Sequence, residues 1–234
     1  MVKGGQWQQT MSKREDNKND KKQQIIRAAK QLMQAADVKG FSMRTLAEVA
    51  GVSIATPYNL FGSKENIVAA VMDTDLDQFK EALLAEPTNP IDTFFRAVTT
   101  AVRLFEKEPN YYMTGALAVH SETNEKLTNH FSIPRQELFK DLVVQAIQQG
   151  YLAHQVNPES FAINLGYQFY SWIQAWARGH LSLQQLELRT HYSFAASLAA
   201  VATAENRDSL TTRMLAIQDQ LPEAWEQQKF RTGT

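Results

Sequence analysis

Apolar residues recur every three or four positions along most of the chain, which is the period of an amphipathic helix. The first apolar stripe begins after Asp20, a residue that can cap a helix, and it ends before Gly40. Shorter stripes follow Ser42, Ser53 and Ser63, which we predict to be the caps of further helices. Neither Asn-Gly nor Asp-Gly, the dipeptides typical of tight hairpins, occurs. The pattern therefore predicts an all-α fold of about ten helices without a sheet.

Prolines and polar caps predict the helix starts in the second half of the chain. Proline is favoured in the first turn of a helix, and the predicted starts of this kind are Pro109, Pro134 and Pro158. Asn157 is well placed to cap the last of these helices. Ser182 and Gln185 have the spacing of a capping box, which predicts another helix from there to about Thr203.

The N-terminal segment has no apolar period. Residues 1–19 are polar and rich in Gln and Lys, so we expect a disordered tail. Met1 and Met11 are both candidate start residues, and the sequence leaves the choice between them open. We predict a first helical domain over residues 20–70 and a second over residues 71–234.

Charge separates these two parts of the chain. Residues 1–70 contain 11 Lys and Arg against 6 Asp and Glu, whereas residues 71–234 contain 13 against 19. The formal net charge of the whole chain is only −1, which excludes a protein that coats nucleic acid by bulk charge. The basic N-terminal part is either a solvated tail or a phosphate-binding head on an acidic body.

Composition and motifs exclude several classes of chemistry. The chain has no cysteine, which excludes disulfides, a thiol nucleophile and Cys-ligated metals. No glycine-rich nucleotide loop or His-Glu-x-x-His motif occurs, so we expect no enzyme, no cofactor and no metal. Glu187 and His191 have a spacing that could begin a metal site, but ordinary polar contacts are the expected reading. No long apolar run or signal peptide is visible, and we predict a cytoplasmic protein without a membrane partner.

Two short predicted helices joined by Gly51-Val52-Ser53 have the dimensions of a helix-turn-helix. The first helix would pack through Leu46, Val49 and Ala50, and the second would bury Leu60 and Phe61. The remaining side chains of the second helix are then left to meet the major groove: Ile54, Ala55, Thr56, Tyr58 and Asn59.

The residue types on this second helix suit contacts with base pairs. Thr56 and Asn59 can hydrogen-bond to base edges, and Ala55 can contact a thymine methyl group. Pro57 fixes its own backbone angle, so we expect it to form a rigid start to the helix.

The same residues resemble the DNA-binding domain of the TetR family, the tetracycline-repressor-like regulators. The similar stretches are Ile26–Ala29, Gly40–Ser53 and Thr56–Ile67, and the resemblance extends over about residues 21–70. The turn glycine, the Tyr58 and Phe61 pair and the Ser-Lys-Glu step occur together at the spacing of the family. The resemblance implies a dimeric, ligand-controlled transcriptional regulator, usually a repressor, in which residues 71–234 bind the effector and form the dimer.

The resemblance also implies roles for individual residues. Tyr58 and Lys64 are expected to contact DNA phosphates, and the second helix of the domain is expected to meet the DNA backbone through Ser42, Arg44 and Thr45. The expected DNA partner is a palindromic double-stranded operator. The alternative is a helical ligand carrier or interaction module whose helix-turn-helix head no longer binds DNA.

A palindromic operator needs a two-fold protein. The predicted helices over 158–179 and 182–203 are the candidates for a homodimer interface, as in the family. The second of them carries small residues that allow close approach, including Ala196, and Phe194 and Leu198 would supply apolar burial.

Aromatic residues are frequent in residues 71–234, the acidic part of the chain. We predict a pocket for a small apolar or aromatic effector, lined by Phe94, Phe105, Tyr111, Tyr112, Tyr167, Phe169, Trp172 and Trp176. Pockets in helical proteins are lined by such side chains. Tyr and Trp each carry a polar group that needs a partner when buried, which is unusual for a core that serves only packing. Ordinary core packing is the competing interpretation.

Overall fold

The computed structural model describes residues 4–35, 41–85, 88–119 and 125–221. Within those ranges the chain forms ten α-helices and no strand, apart from one isolated bridge between Leu152 and Ala202, which confirms the predicted all-α fold. The helices are α1 (Gly4–Ala35), α2 (Met43–Val49), α3 (Ala55–Phe61), α4 (Lys64–Leu84), α5 (Pro90–Lys107), α6 (Pro109–Val119), α7 (Glu125–Gln148), α8 (Pro158–Ala177), α9 (Leu183–Val201) and α10 (Ala204–Gln218). None of the helices described is long and apolar enough to cross a membrane.

The chain divides into two compact units. One comprises the described parts of Met1–Asp75 and Asn110–Leu127, and the other those of Leu76–Pro109 and Thr128–Thr234. Helix α6 therefore groups with the N-terminal helices, although it follows α5 in sequence. The boundary between independent domains near residue 70 stays a prediction.

The first unit is built around apolar faces of α1 and α4. Ile25 and Met33 on α1 are fully buried, as is Val71 on α4. Helix α6 joins them through Tyr111, whose hydroxyl donates to the Val71 carbonyl at 3.4 Å. The Lys30 ammonium lies 2.9 Å from the Asp75 carboxylate and 5.3 Å from the centroid of the Tyr111 ring. Apolar burial and these polar contacts together fix α1, α4 and α6 within the unit.

The second unit has α9 at its centre, in contact with α5, α8 and α10. Phe94 on α5 is fully buried, stacked on Phe139 with ring centroids 6.0 Å apart and edge-on to Phe194 at 6.5 Å. Aromatic pairs in such geometries are favourable beyond the apolar area that they bury. This aromatic cluster forms the core of the unit.

Local caps confirm several predicted helix starts. Asn157 accepts the Ser160 amide at 2.8 Å, directly before Pro158 in α8. Ser182 and Gln185 form the predicted capping box at the start of α9. The Ser63 hydroxyl accepts the Asn66 amide at the start of α4.

Two predicted helix starts are wrong. Helix α1 begins at Gly4 rather than at Asp20, so the structure differs from the expected disordered tail over residues 4–19, while residues 1–3 lie outside the described ranges. Gln, Lys, Arg and Glu have good helix propensity, which lets a polar segment extend a helix. Helix α7 begins at Glu125 and includes Pro134, because proline removes only one hydrogen bond of a longer helix.

Candidate DNA-binding site

Helix α2 is capped as the sequence predicts. The Ser42 hydroxyl accepts the Thr45 amide at 3.0 Å and shares a hydrogen bond of 2.7 Å with the Thr45 hydroxyl. Leu46 and Ala50 are buried, as expected, but the prediction that Val49 faces inward is wrong because 48% of its surface is exposed. Val49 ends α2, where the chain turns and leaves it without covering side chains.

The turn after α2 is fixed by backbone hydrogen bonds. Gly51 has a φ of +62°, and its amide donates to the Glu48 carbonyl at 3.1 Å. The Val52 amide donates to the Ala47 carbonyl at 3.0 Å, which completes a Schellman motif. From α1, the Gln24 side-chain amide donates to the Ala50 carbonyl at 2.7 Å. The turn therefore has one defined geometry.

Helix α3 begins without a side-chain cap. Its N-cap residue is Ile54, so the prediction that Ser53 caps this helix is wrong. The Ser53 hydroxyl instead shares a hydrogen bond of 2.9 Å with the Thr56 hydroxyl, and the Ser53 carbonyl accepts the Thr56 amide. In a regular α-helix the Ser53 carbonyl would accept the amide of residue 57, but Pro57 has no amide proton to donate.

Pro57 anchors α3 against the rest of the domain. It lies in the first turn, where amides lack intrahelical partners, and it is the residue of α3 that is buried. The predicted buried pair, Leu60 and Phe61, is only half-buried. Proline thus supplies much of the packing that sequence reasoning assigned to those two side chains.

The opposite side of α3 faces outward. Ile54 is 53% exposed and Tyr58 is 49% exposed, and Ala55 and Asn59 are exposed as well. Thr56 is half-buried and differs from the other predicted groove residues because its hydroxyl is already bonded to Ser53. Apolar and hydrogen-bonding groups are therefore presented together on one exposed face of a short helix.

The far end of α3 is also held in place. The Gly62 amide donates to the Tyr58 carbonyl at 2.8 Å, and the Asn66 side-chain amide donates to the Phe61 carbonyl at 2.7 Å. Lys64, at the start of α4, has its Nζ 5.1 Å from the centroid of the buried Phe41 ring. A cation–π contact of this kind holds the lysine side chain against Phe41, just before the N-terminus of α2.

The predicted backbone contacts of α2 lie on exposed side chains. Ser42, Arg44 and Thr45 are all exposed. Arg44 pairs with Glu48 at 3.3 Å, but both side chains are mostly in solvent. An exposed pair on one helix is worth only about 0.3–0.5 kcal/mol, so the guanidinium can exchange Glu48 for a phosphate at little cost.

The aromatic residues predicted for the effector pocket are distributed over both compact units. Tyr111 and Tyr112 belong to the first compact unit, and the other six belong to the second. Within the second unit, Phe105 stacks on buried Trp176 with centroids 5.1 Å apart, whereas Tyr167 is 62% exposed.

Phe169 and Trp172 are half-buried on α8. The Trp172 indole N–H donates to the Ser193 hydroxyl at 3.3 Å, and the Arg189 guanidinium lies 5.5 Å from the Trp172 ring.

An open groove of about 510 Å³ elsewhere in this unit is lined by Val156, Phe161 and other residues, but by none of the predicted effector residues.

Glu187 and His191 are engaged within the second unit. Glu187 accepts the Thr99 hydroxyl at 2.6 Å, and His191 donates to the Phe95 carbonyl at 3.1 Å. Burial lowers the pKa of His191 from its ordinary value of 6.5, against the opposing effect of this hydrogen bond. Among the residues described, no three His, Asp or Glu side chains are grouped as a metal site requires.

Part of the predicted dimer surface is buried within the chain itself. Phe194 and Leu198 on α9 are fully buried by their own unit and so cannot serve as interface residues. Ala196 is half-buried and Ala200 is exposed, and Tyr167 is exposed on α8. Helical periodicity on α9 places Ala195 and Ala199 on the inner face together with Phe194 and Leu198, and leaves Ala196 and Ala200 toward the outside.

Comparison with known proteins identifies the family. Residues 25–71 match the family of bacterial regulatory proteins called the tetR family. The HTH-type transcriptional regulator SAR0097 of Staphylococcus aureus (strain MRSA252) is 30% identical over 149 residues, which cover 61% of this chain and 74% of that protein. The chain belongs to the TetR family. Family membership makes it a DNA-binding transcriptional regulator, which favours that interpretation over a carrier with an inactive head.

Solved structures of TetR proteins share its fold. A TetR regulator from Rhodococcus sp. RHA1 is 18% identical with a TM-score of 0.62, covering 77% of this chain and 97% of that one. FadR of Thermus thermophilus, a TetR repressor in complex with lauroyl-CoA, is 17% identical with a TM-score of 0.64, covering 74% and 92%. Likeness at this identity establishes the fold, with a helix-turn-helix domain followed by a helical domain.

Proposed function

We propose that this TetR regulator binds a palindromic operator as a homodimer, represses transcription there, and is released by a small apolar or aromatic molecule. The observation that carries the DNA-binding part is the outward face of α3, formed by Ile54, Ala55, Tyr58 and Asn59 on a helix anchored by buried Pro57. A helix of this kind fits the width of the major groove.

Each side chain near that face has a proposed role. Asn59 reads a base edge, and Ala55 and Ile54 approach the floor of the groove. Tyr58 and Lys64 contact phosphates, which position a protein on DNA without reading its sequence. The Thr56 hydroxyl already uses part of its hydrogen-bonding capacity on Ser53, so we expect a smaller effect from Thr56 than from Asn59.

The roles are separated by measuring DNA affinity at several salt concentrations. The double substitution Tyr58→Ala/Lys64→Ala should weaken binding to every duplex and flatten the salt dependence, because fewer counterions are released. Asn59→Ala should instead change base preference by roughly 1–3 kcal/mol. Thr212→Ala, on the exposed surface of α10, is the control. Equal affinity of the wild type and the double variant would contradict the proposed contacts.

The proposed dimer follows from the operator. Two helix-turn-helix heads must lie about one turn of DNA apart, which requires a stable two-fold interface. The exposed or half-buried residues of α8 and α9, including Tyr167 and Ala196, are the proposed surface. We expect sedimentation to give a dimer for the wild type at micromolar concentration and a monomer for Ala196→Arg. A wild-type monomer at that concentration would refute the dimer.

The proposed effector is supported by the aromatic side chains of the second unit, among which Phe169 and Trp172 are half-buried. A ligand in contact with Trp172 or Trp176 should quench tryptophan fluorescence. Release of DNA further requires that the ligand bind the two conformations of the dimer with different affinity. Lauroyl-CoA, the molecule present with Thermus thermophilus FadR, and uncharged aromatic compounds are suitable probes. A panel that changes neither fluorescence, melting temperature nor DNA binding would contradict this part of the proposal.

A further inference from the structure

The position of α3 depends on contacts from outside the helix. It has seven residues, and its N-cap makes no side-chain hydrogen bond. An isolated helix of that length is unstable in water, because few hydrogen bonds compensate for nucleation. Pro57 is the buried residue of α3, and Leu60 and Phe61 are only half-buried, so the apolar packing of this short helix is small. Hydrogen bonds to the turn before α3 and to the last residue of α3 therefore add constraints on its orientation.

The first constraint comes from α1. Gln24 donates from Nε2 to the Ala50 carbonyl at 2.7 Å, across 26 positions of sequence. Ala50 is the C-cap of α2, and carbonyls at this end of a helix have no intrahelical donor. The bond therefore satisfies a carbonyl that has no partner in the turn. It also holds Ala50, the last residue before the turn that leads to α3, against α1.

The second constraint comes from α4. Asn66 donates from Nδ2 to the Phe61 carbonyl at 2.7 Å. Phe61 is the last residue of α3, so its carbonyl is also one that the helix cannot satisfy. The Asn66 backbone amide donates to the Ser63 hydroxyl at 3.2 Å. This bond holds the backbone of Asn66 in place while its side chain bonds to the end of α3.

We propose that Gln24 and Asn66 are positioning residues for DNA recognition, which hold the turn before α3 and the end of α3 from the two flanking helices. The inference rests on the proposed function of α3 as the DNA-reading helix. Neither residue belongs to the predicted DNA contacts. Base reading needs side chains held to within about 0.5 Å, whereas phosphate contacts tolerate more displacement. Loss of either amide should therefore reduce sequence-specific binding more than non-specific binding.

The test uses substitutions that keep shape and helix propensity but remove the donor. Gln24→Met and Asn66→Leu meet this requirement, because Met and Leu are good helix formers of similar length. Gln23→Met is the matched control, since Gln23 is the exposed neighbour of Gln24 on α1. The probes are the duplex that the wild-type protein selects from a randomised pool and a duplex of unrelated sequence. Affinity for both is measured for each full-length variant, together with its melting temperature.

The ratio of the two affinities is the informative quantity. A variant that is merely less folded loses affinity for both duplexes equally, so its ratio is unchanged. We expect the ratio to fall roughly threefold to tenfold for Gln24→Met and for Asn66→Leu, which corresponds to one hydrogen bond, and to stay constant for Gln23→Met. An unchanged ratio in both donor variants would overturn the positioning role alone. A wild-type protein that selects no sequence would overturn the proposed function and this inference with it.

Discussion

The turn of the helix-turn-helix offers a test with a calculable size. Gly51 has a φ of +62°, a conformation that costs about 1–2 kcal/mol for a residue with a Cβ. A Cβ at this position would lie 3.9 Å from Nε2 of Gln24, an ordinary contact, so no clash adds to that cost. Alanine also lowers the conformational entropy of the unfolded chain, which offsets about 0.4–1 kcal/mol of this cost. We therefore expect Gly51→Ala to lower the free energy of unfolding by about 1 kcal/mol.

Gly166 provides a control with the same chemical change and the opposite expected sign. It lies inside α8, and its Cβ would meet Cγ of Gln136 at 3.7 Å, again an ordinary contact. Replacing glycine by alanine within a helix stabilises it by roughly 0.5–1 kcal/mol. Gly166→Ala should thus raise the free energy of unfolding while Gly51→Ala lowers it.

Urea denaturation followed by circular dichroism measures both changes. Gel shifts with the selected duplex then show whether the strained turn also weakens DNA binding, as expected if the turn orients α3. Wild-type stability in Gly51→Ala would refute the positive φ at the turn. A loss in Gly166→Ala as large as that in Gly51→Ala would refute the assignment of the effect to backbone conformation.

Three further predictions concern packing and pH. Gly115→Ala should lower the free energy of unfolding in urea, because its Cβ would lie 2.6 Å from Sδ of Met72 and the overpacking cost of about 1–3 kcal/mol exceeds the gain of roughly 0.5–1 kcal/mol from alanine in a helix; a gain in stability would contradict this close contact. Phe94→Ala should cost roughly 3–5 kcal/mol and exposed Thr212→Ala less than about 0.5 kcal/mol, and similar losses would contradict their different burial. Burial lowers the pKa of His191, so the unfolded chain binds the proton better and stability falls as the pH drops below 6.5. His191→Gln should flatten that fall in urea titrations between about pH 7.5 and about pH 5.5, and an unchanged slope would exclude His191 as its cause.

Sequence patterns predicted the features that depend on neighbouring residues. The caps at Ser42, Asn157 and Ser182 form through contacts three residues apart, so their spacing is visible in the sequence. Ser53 does not cap α3, because Ile54 rather than Ser53 occupies the N-cap position of that helix. The start of α1 was missed because polar residues with good helix propensity carry no apolar stripe.

The candidate site was predictable to the extent that it lies on one short helix. The exposure of Tyr58 and Asn59 follows from helical spacing next to the turn. The contribution of Gln24 was missed because its partner is 26 residues away and an exposed glutamine on a helix gives no signal. Aromatic periodicity likewise did not distinguish buried Phe94 from exposed Tyr167, since both occur at helical spacings.

We propose that the outward face of α3 contacts DNA, and photochemical cross-linking tests this contact directly. A photoreactive phenylalanine analogue placed at Asn59 should cross-link to the duplex that the wild-type protein selects. The same analogue at Thr212, an exposed position on α10 in the other unit, should not cross-link. Cross-linking from position 59 alone is the predicted result. DNA binding without any cross-link from position 59, or with equal cross-linking from position 212, would contradict it.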